Sequence, residues 1–193
     1  MKSINCDVFS DRNLTLNGQF TVHGNLYVNG NANLVACNNP VEVFGDVIIN
    51  GNLYVNEMII HGNLECKSLD GFYVEVDNNI NISRAVEVEE IKSNTGNINV
   101  EDSVYVGTLI ASEGSVNINE VNFGVTSIST LKAFDTITIN GELRNVSNIV
   151  AGAGISVKGF IIFEETDYLN ANEEYVSISV YSGGIRSKNI NVN

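Results

Sequence analysis

Short apolar-x-apolar triplets recur along almost the whole chain, and no other feature restricts the possible folds as strongly. They include Leu14-Thr15-Leu16, Phe20-Thr21-Val22, Leu26-Tyr27-Val28, Val41-Glu42-Val43, Val47-Ile48-Ile49 and Leu53-Tyr54-Val55. Later come Ile80-Asn81-Ile82, Ile98-Asn99-Val100, Val116-Asn117-Ile118 and Ile137-Thr138-Ile139. Alternation of apolar and polar residues is the mark of a strand with one buried face. Each triplet is too short for an ordinary sheet strand. Many lead into a turn pair such as Asn17-Gly18, His23-Gly24, Asn29-Gly30, Asn50-Gly51 or Asn140-Gly141. Hairpin arms this short cannot sustain a sheet. The recurrence therefore predicts corners of a coil, in which each turn of chain pairs with the turns above and below.

Taking every third triplet gives three sides. One begins at Leu14, Leu34, Leu53, Phe72, Ile91, Leu109, Ile128 and Ile149. A second begins at Phe20, Val41, Ile59, Ile80, Ile98, Val116, Ile137, Ile155 and Val176, and a third at Leu26, Val47, Leu64, Val86, Val104, Val121, Leu143 and Ile161. The expected fold is all-β: a single three-sided parallel β-helix over residues 1–193, with a coil about every 19 residues. About nine coils at ~4.8 Å make a solenoid roughly 40–45 Å long. Residues 164–175, from Glu164 to Tyr175, are acidic and off-pattern, and read as an outward loop. Val176-Ser177-Ile178-Ser179-Val180 reads as the return to the stack.

Composition agrees. The 193 residues are 44% hydrophobic and 17% charged, which suits a folded domain with a sizeable core. There are 30 Asn, 17 Gly and 1 Pro. Asn and Gly enter the left-handed region at low cost, so the corners are expected to use positive φ. The net charge of −13 repels phosphate backbones and anionic lipid. Neither nucleic acid nor membrane insertion is expected, although mimicry of DNA charge stays open. Cys6, Cys37 and Cys66 do not suggest a disulfide framework, and Cys66 falls at an inward position. The opening Met1-Lys2-Ser3-Ile4-Asn5-Cys6-Asp7 holds no apolar stretch long enough for a signal peptide. The expectation is a cytoplasmic protein, though a secreted fragment behind a new Met would read the same way.

Two runs carry a resemblance: Val22-His23-Gly24-Asn25-Leu26-Tyr27-Val28-Asn29-Gly30 and Val43-Phe44-Gly45-Asp46-Val47-Ile48-Ile49-Asn50-Gly51-Asn52-Leu53. Their Gly-[Asn/Asp]-apolar-x-apolar-x-Gly rhythm resembles the bactofilins, polymer-forming bacterial cytoskeletal proteins, most clearly over residues 14–65. The resemblance implies a right-handed three-sided β-helix that polymerises end to end without nucleotide. The acidic segment and the near absence of polar or Pro-rich tails depart from the bactofilin pattern.

Three surfaces are candidates. Outward positions of the first side present Val35, Tyr54, Tyr73, Lys92 and Ile110, with Tyr54 and Tyr73 expected to stack in adjacent coils. Such a stripe is either an interface or a local aromatic ladder. The second side presents Asn81, Asn99, Asn117, Thr138, Ser156 and Ser177, a flat polar column suited to glycan or to amide bonding along the stack. The solenoid ends, strand-like through Ile190-Asn191-Val192-Asn193, offer open N–H and C=O groups for pairing. His23 and His61 fall two coils apart with Phe44 between them, too far to share a metal. No cofactor motif, carboxylate groove or Ca²⁺-binding nonapeptide stands out. The leading expectation is a non-enzymatic scaffold that self-associates through its ends or the tyrosine side. The alternatives are a glycan- or surface-binding module and, third, a hexapeptide-type acyltransferase.

Overall fold

A computed structural model describes residues 2–35, 39–119 and 126–163, together with the strands Ser177–Val180, Ile185–Arg186 and Asn189–Val192. Cys37, Val121, the acidic segment 164–175 and Val176 lie outside the described residues. All the regular structure described is strand, and every strand pairing is parallel.

The pairings form three ladders. The first side runs from Leu14–Asn17 through Ala32–Val35 and residues 53–55, 69–71, 86–88, 104–106 and 126–128, then through Leu143–Arg144 and Phe160–Phe163 to Asn189–Val192. The second runs from Lys2–Ile4 through Phe20–Val22, Val41–Val43 and residues 58–60, 74–76, 91–93, 109–111 and 131–133, then through Asn148–Ala151 to Ser177–Val180. The third runs from Val8–Ser10 through Leu26–Val28 and residues 47–49 and 64–66, then through Ile80–Ile82, Ile98–Val100, Val116–Ile118, Thr136–Ile139 and Gly154–Val157 to Ile185–Arg186. The chain is thus a three-sided β-solenoid. The return to the stack at Ser177–Val180 is as expected, in register with Asn148–Ala151.

The common step is 18 residues, as between Asn81 and Asn99. It shortens to 16 between Asn63 and Asn79 and lengthens to 21 between Asn25 and Asp46. The short coil corrects the sequence register. Between Leu64 and Ile80 the chain places two inward rungs, at Leu69 and Val74, where the sequence reading allowed one at Phe72. Leu69 is 1% exposed and Phe72 is 59% exposed. From Ile80 to residue 118, and again from Ile137 onward, the triplets therefore sit one side further round than expected. Ile80, Ile98, Val116, Ile137 and Ile155 belong to the third side, and Val86, Val104, Leu143 and Ile161 to the first. Met58, not Ile59, is the inward residue of its rung. Their pairing with one another survives, because the slip is common to all of them.

The interior is one continuous column of side chains, including Val22, Leu26, Leu34, Ile60, Leu64, Ile98 and Leu131, all 0% exposed. Each fully buried Val, Ile or Leu contributes roughly 1.5–3 kcal/mol. Cys66 belongs to this column as a free thiol, and burial pushes its pKa up to about 12. Buried Ser93 is satisfied by donating to Asn78 O at 2.7 Å.

The corners depart from the expectation of positive φ. Among the described residues, positive φ occurs at Gly18 (94°) and Asn145 (56°). The repeated Gly serves close approach instead. A Cβ on Gly45 would run into Asn25 Oδ1 of the coil before it. That oxygen is already engaged, since it accepts the backbone N–H of Asp46 at 2.8 Å. The arrangement repeats up the corner between the second and third sides. Asp7 caps the N–H of Asn25, Asp46 that of Asn63, Asn63 that of Asn79, Asn79 that of Asn97, and Asn97 that of Ser115. Asn13 and Asn31 do the same at the next corner, for the N–H groups of Asn31 and Asn52. The Gly-[Asn/Asp] pair thus has a mechanical reason. Asn or Asp satisfies a corner N–H that the strand ladders leave open, and Gly leaves room for the carboxamide or carboxylate stacked against it.

Candidate functional site

The tyrosine stripe is not assembled as the sequence suggested. Tyr54 sits on the first side, opposite Asn33 and Asp70. Tyr73 lies at the following corner, opposite Glu57 and Glu90. The short coil moves Tyr73 past the corner, so the two rings are on different faces. Val35 is half-buried at the end of a first-side rung, opposite Asn17. Ile110 is on the second side, opposite Lys92 and Lys132.

The polar column is assembled, on the third side. Asn81, Asn99, Asn117, Thr138 and Ser156 are in consecutive register. Asn99 Nδ2 donates to Asn81 Oδ1 at 2.8 Å, and Asn117 Nδ2 donates to Asn99 Oδ1 at 2.9 Å. Ser177 does not continue it. Ser177 pairs with Asn148 on the second side, and Arg186 follows Ser156 instead.

The same third-side column changes character toward the first coil. Below Asn81 come Glu65, Ile48, Tyr27 and Phe9. The rings of Phe9 and Tyr27 stack at 4.9 Å with planes 10° apart, and Phe9 is 71% exposed. The sequence reading missed this patch. Its signal was the apolar residue at the outward centre of Leu26-Tyr27-Val28 and Val47-Ile48-Ile49.

His23, Phe44 and His61 form a ring column at the corner after the second side, with centroids 5.0 and 4.7 Å apart. The expected spacing of the two histidines, with Phe44 between them, is therefore correct. His61 Nδ1 is 2.8 Å from Asp77 Oδ2, and its Nε2 is 3.2 Å from Glu42 Oε1. Hydrogen bonds to Asp77 and then to Glu42 raise its pKa above the ordinary value. Asn94 Nδ2 donates to Asp77 Oδ1 at 2.8 Å and to Glu75 Oε1 at 3.0 Å. Glu75 also accepts from Tyr73 Oη at 2.6 Å and from Lys92 Nζ at 3.0 Å. These bonds, Tyr73's foremost, lower the Glu75 carboxyl to about 2. Hydrogen bonding by Asn94 and then by His61 lowers Asp77. Burial, followed by the bond to Glu75, raises the Tyr73 phenol. The network crosses successive coils and ties them together. Both ring nitrogens of His61 are held by carboxylates, which suits a structural clasp better than a proton shuttle.

Among the described residues, no group of three His, Cys, Asp or Glu side chains is placed to hold a metal ion. Among them, no helix is long and apolar enough to cross a membrane. Comparison with family models, curated proteins and solved structures finds no match for this chain.

Proposed function

We propose that this protein is a non-enzymatic scaffold that associates with further copies of itself through the end of its solenoid. The first coil is the observation that carries the reading. Its rungs Lys2–Ile4, Val8–Ser10 and Leu14–Asn17 each pair with one neighbour in the described structure. Its inward residues Ile4, Val8, Leu14 and Leu16 are only partly buried against the core. A coil of a second copy set against this face would satisfy the open N–H and C=O groups and cover the four apolar side chains. The exposed Phe9–Tyr27 stack stands beside it and would widen the contact. The bactofilin-like rhythm of residues 14–65 supports the same reading. The glycan alternative has weaker support, because the Asn99 and Asn117 amides already bond along the stack.

Sedimentation velocity at rising concentration, with negative-stain imaging, tests the proposal. The wild-type chain is expected to form oligomers or filaments. Ile4→Lys/Leu14→Lys, at partly exposed positions, is expected to stay monomeric with an unchanged β-rich circular dichroism spectrum. A wild-type chain that is monomeric at every concentration, or a variant that assembles as before, overturns it.

A further inference from the structure

A groove of about 520 Å³ runs along the corner between the first and second sides, lined by residues from Asp70 to Asn145. It is remote from the first coil, and its argument does not depend on self-association. Two glycines open it. Gly71 has Val55 O where a side chain would begin, and a Cβ on Gly107 would lie 2.9 Å from Glu89 Oε1. The Glu89 carboxylate thus lies over Gly107, inside the groove.

The walls are aromatic and acidic. Phe72 is 59% exposed and Tyr105 is 48% exposed. Asp70, Glu87 and Tyr105 stand in consecutive register on the first side, so two carboxylates and a phenol ring follow one another along the axis. Coil spacing puts such neighbours ~4.8 Å apart. No Lys or Arg lines the groove, and no ion pair among the described residues uses Asp70, Glu87 or Glu89. Arg144, opposite Ser127 in this column, is held by Glu142 at 2.7 Å. Like charges set this close repel, and they remain stacked without an internal cation.

We propose that this groove is a docking site for an extended, Arg- or Lys-rich peptide segment of a partner protein. Guanidinium and ammonium groups answer both wall chemistries, pairing with the carboxylates and lying against the faces of Phe72 and Tyr105. From Asp70 to Asn145 the groove spans five rungs, roughly 19 Å, which accommodates about six extended residues. A net charge of −13 steers such a partner toward the chain, and the groove gives it a place to stop.

Fluorescence polarisation of a labelled hexapeptide of alternating Arg and Ser tests this. Wild type is expected to bind it, more weakly as salt rises. Glu87→Gln/Glu89→Gln is expected to weaken binding at least tenfold. Tyr105→Leu, which removes the ring and keeps an apolar strand residue, is expected to weaken it about threefold or more. Glu101→Gln/Glu113→Gln removes the same charge from other corners and is expected to change binding less than twofold. All five positions are exposed, and a thermal melt checks that each variant folds. Absence of binding by wild type, equal loss in the control pair, or no loss in Glu87→Gln/Glu89→Gln overturns the proposal. So does a neutral oligosaccharide that binds this groove when the peptide does not.

Discussion

His61 Nδ1 lies 2.8 Å from Asp77 Oδ2, across the boundary between two coils that pair through Ile60 and Val76. An imidazole and a carboxylate 16 positions apart in sequence thus fasten neighbouring turns at a corner. This contact is the largest cause of the raised His61 pKa and, after the hydrogen bond from Asn94, the next cause of the lowered Asp77 pKa.

The clasp has a pH window. His61 titrates above its ordinary 6.5 in the folded chain, so its stabilisation is complete below that value and fades as pH rises through the folded pKa. Asp77 titrates below 3.8 when folded, so its share is present above that value and is lost as pH falls through the folded pKa. The contribution is greatest between these values. Both side chains are about one-third exposed, so solvent screening keeps the effect small. Thermal melts from pH 4 to 9 are expected to show the melting temperature of wild type relative to His61→Gln falling above pH 7. A constant difference across the range contradicts the clasp.

Leu69 and Phe72 distinguish the two registers. Leu69→Ala removes a fully enclosed side chain and is expected to cost about 2–5 kcal/mol. Phe72→Ala removes an outward ring and is expected to stay within about 0.5 kcal/mol. Denaturant unfolding of both variants reads the difference, and the reverse order would restore Phe72 to the core.

Gly45 and Gly18 are required for different reasons. Gly45→Ala places a methyl against Asn25 Oδ1 and Gly24 O, and is expected to cost about 2–3 kcal/mol. Gly18→Ala meets open space but holds φ at 94°, and is expected to cost about 1 kcal/mol. Equal losses in urea unfolding would mean that crowding at the corner is not the constraint.

Thr21 is 3% exposed, and its hydroxyl finds no hydrogen-bond partner among the described residues. Thr21→Val keeps the branched shape and removes the orphaned group. It is expected to stabilise the chain by about 1 kcal/mol, seen as a higher melting temperature. A lower one would indicate that the hydroxyl is satisfied in solution.

The architecture was legible because its signal is local. Ile98-Asn99-Val100 alternates within one strand, and the Gly-Asn pairs mark where the strand must turn. Cys66 as an inward thiol and the stacked Asn81, Asn99 and Asn117 followed directly from that alternation. The tyrosine stripe failed because it needed a count across corners. One short coil, between Asn63 and Asn79, was enough to carry Tyr73 to another face. The groove at Phe72, Glu89 and Tyr105 was illegible for the same reason, since its walls come from different coils.

Residue order alone determined that this chain winds into stacked, three-sided coils, because period-two alternation and corner residues act over a few neighbouring positions. Tertiary structure decided which outward side chains meet. A side chain's neighbour on the next coil depends on the summed length of every corner between them, so a change of two or three residues at one turn redistributes the surface. Most of the alternating triplets keep the same residues inward, while the short coil exchanges Phe72 for Leu69 and Val74.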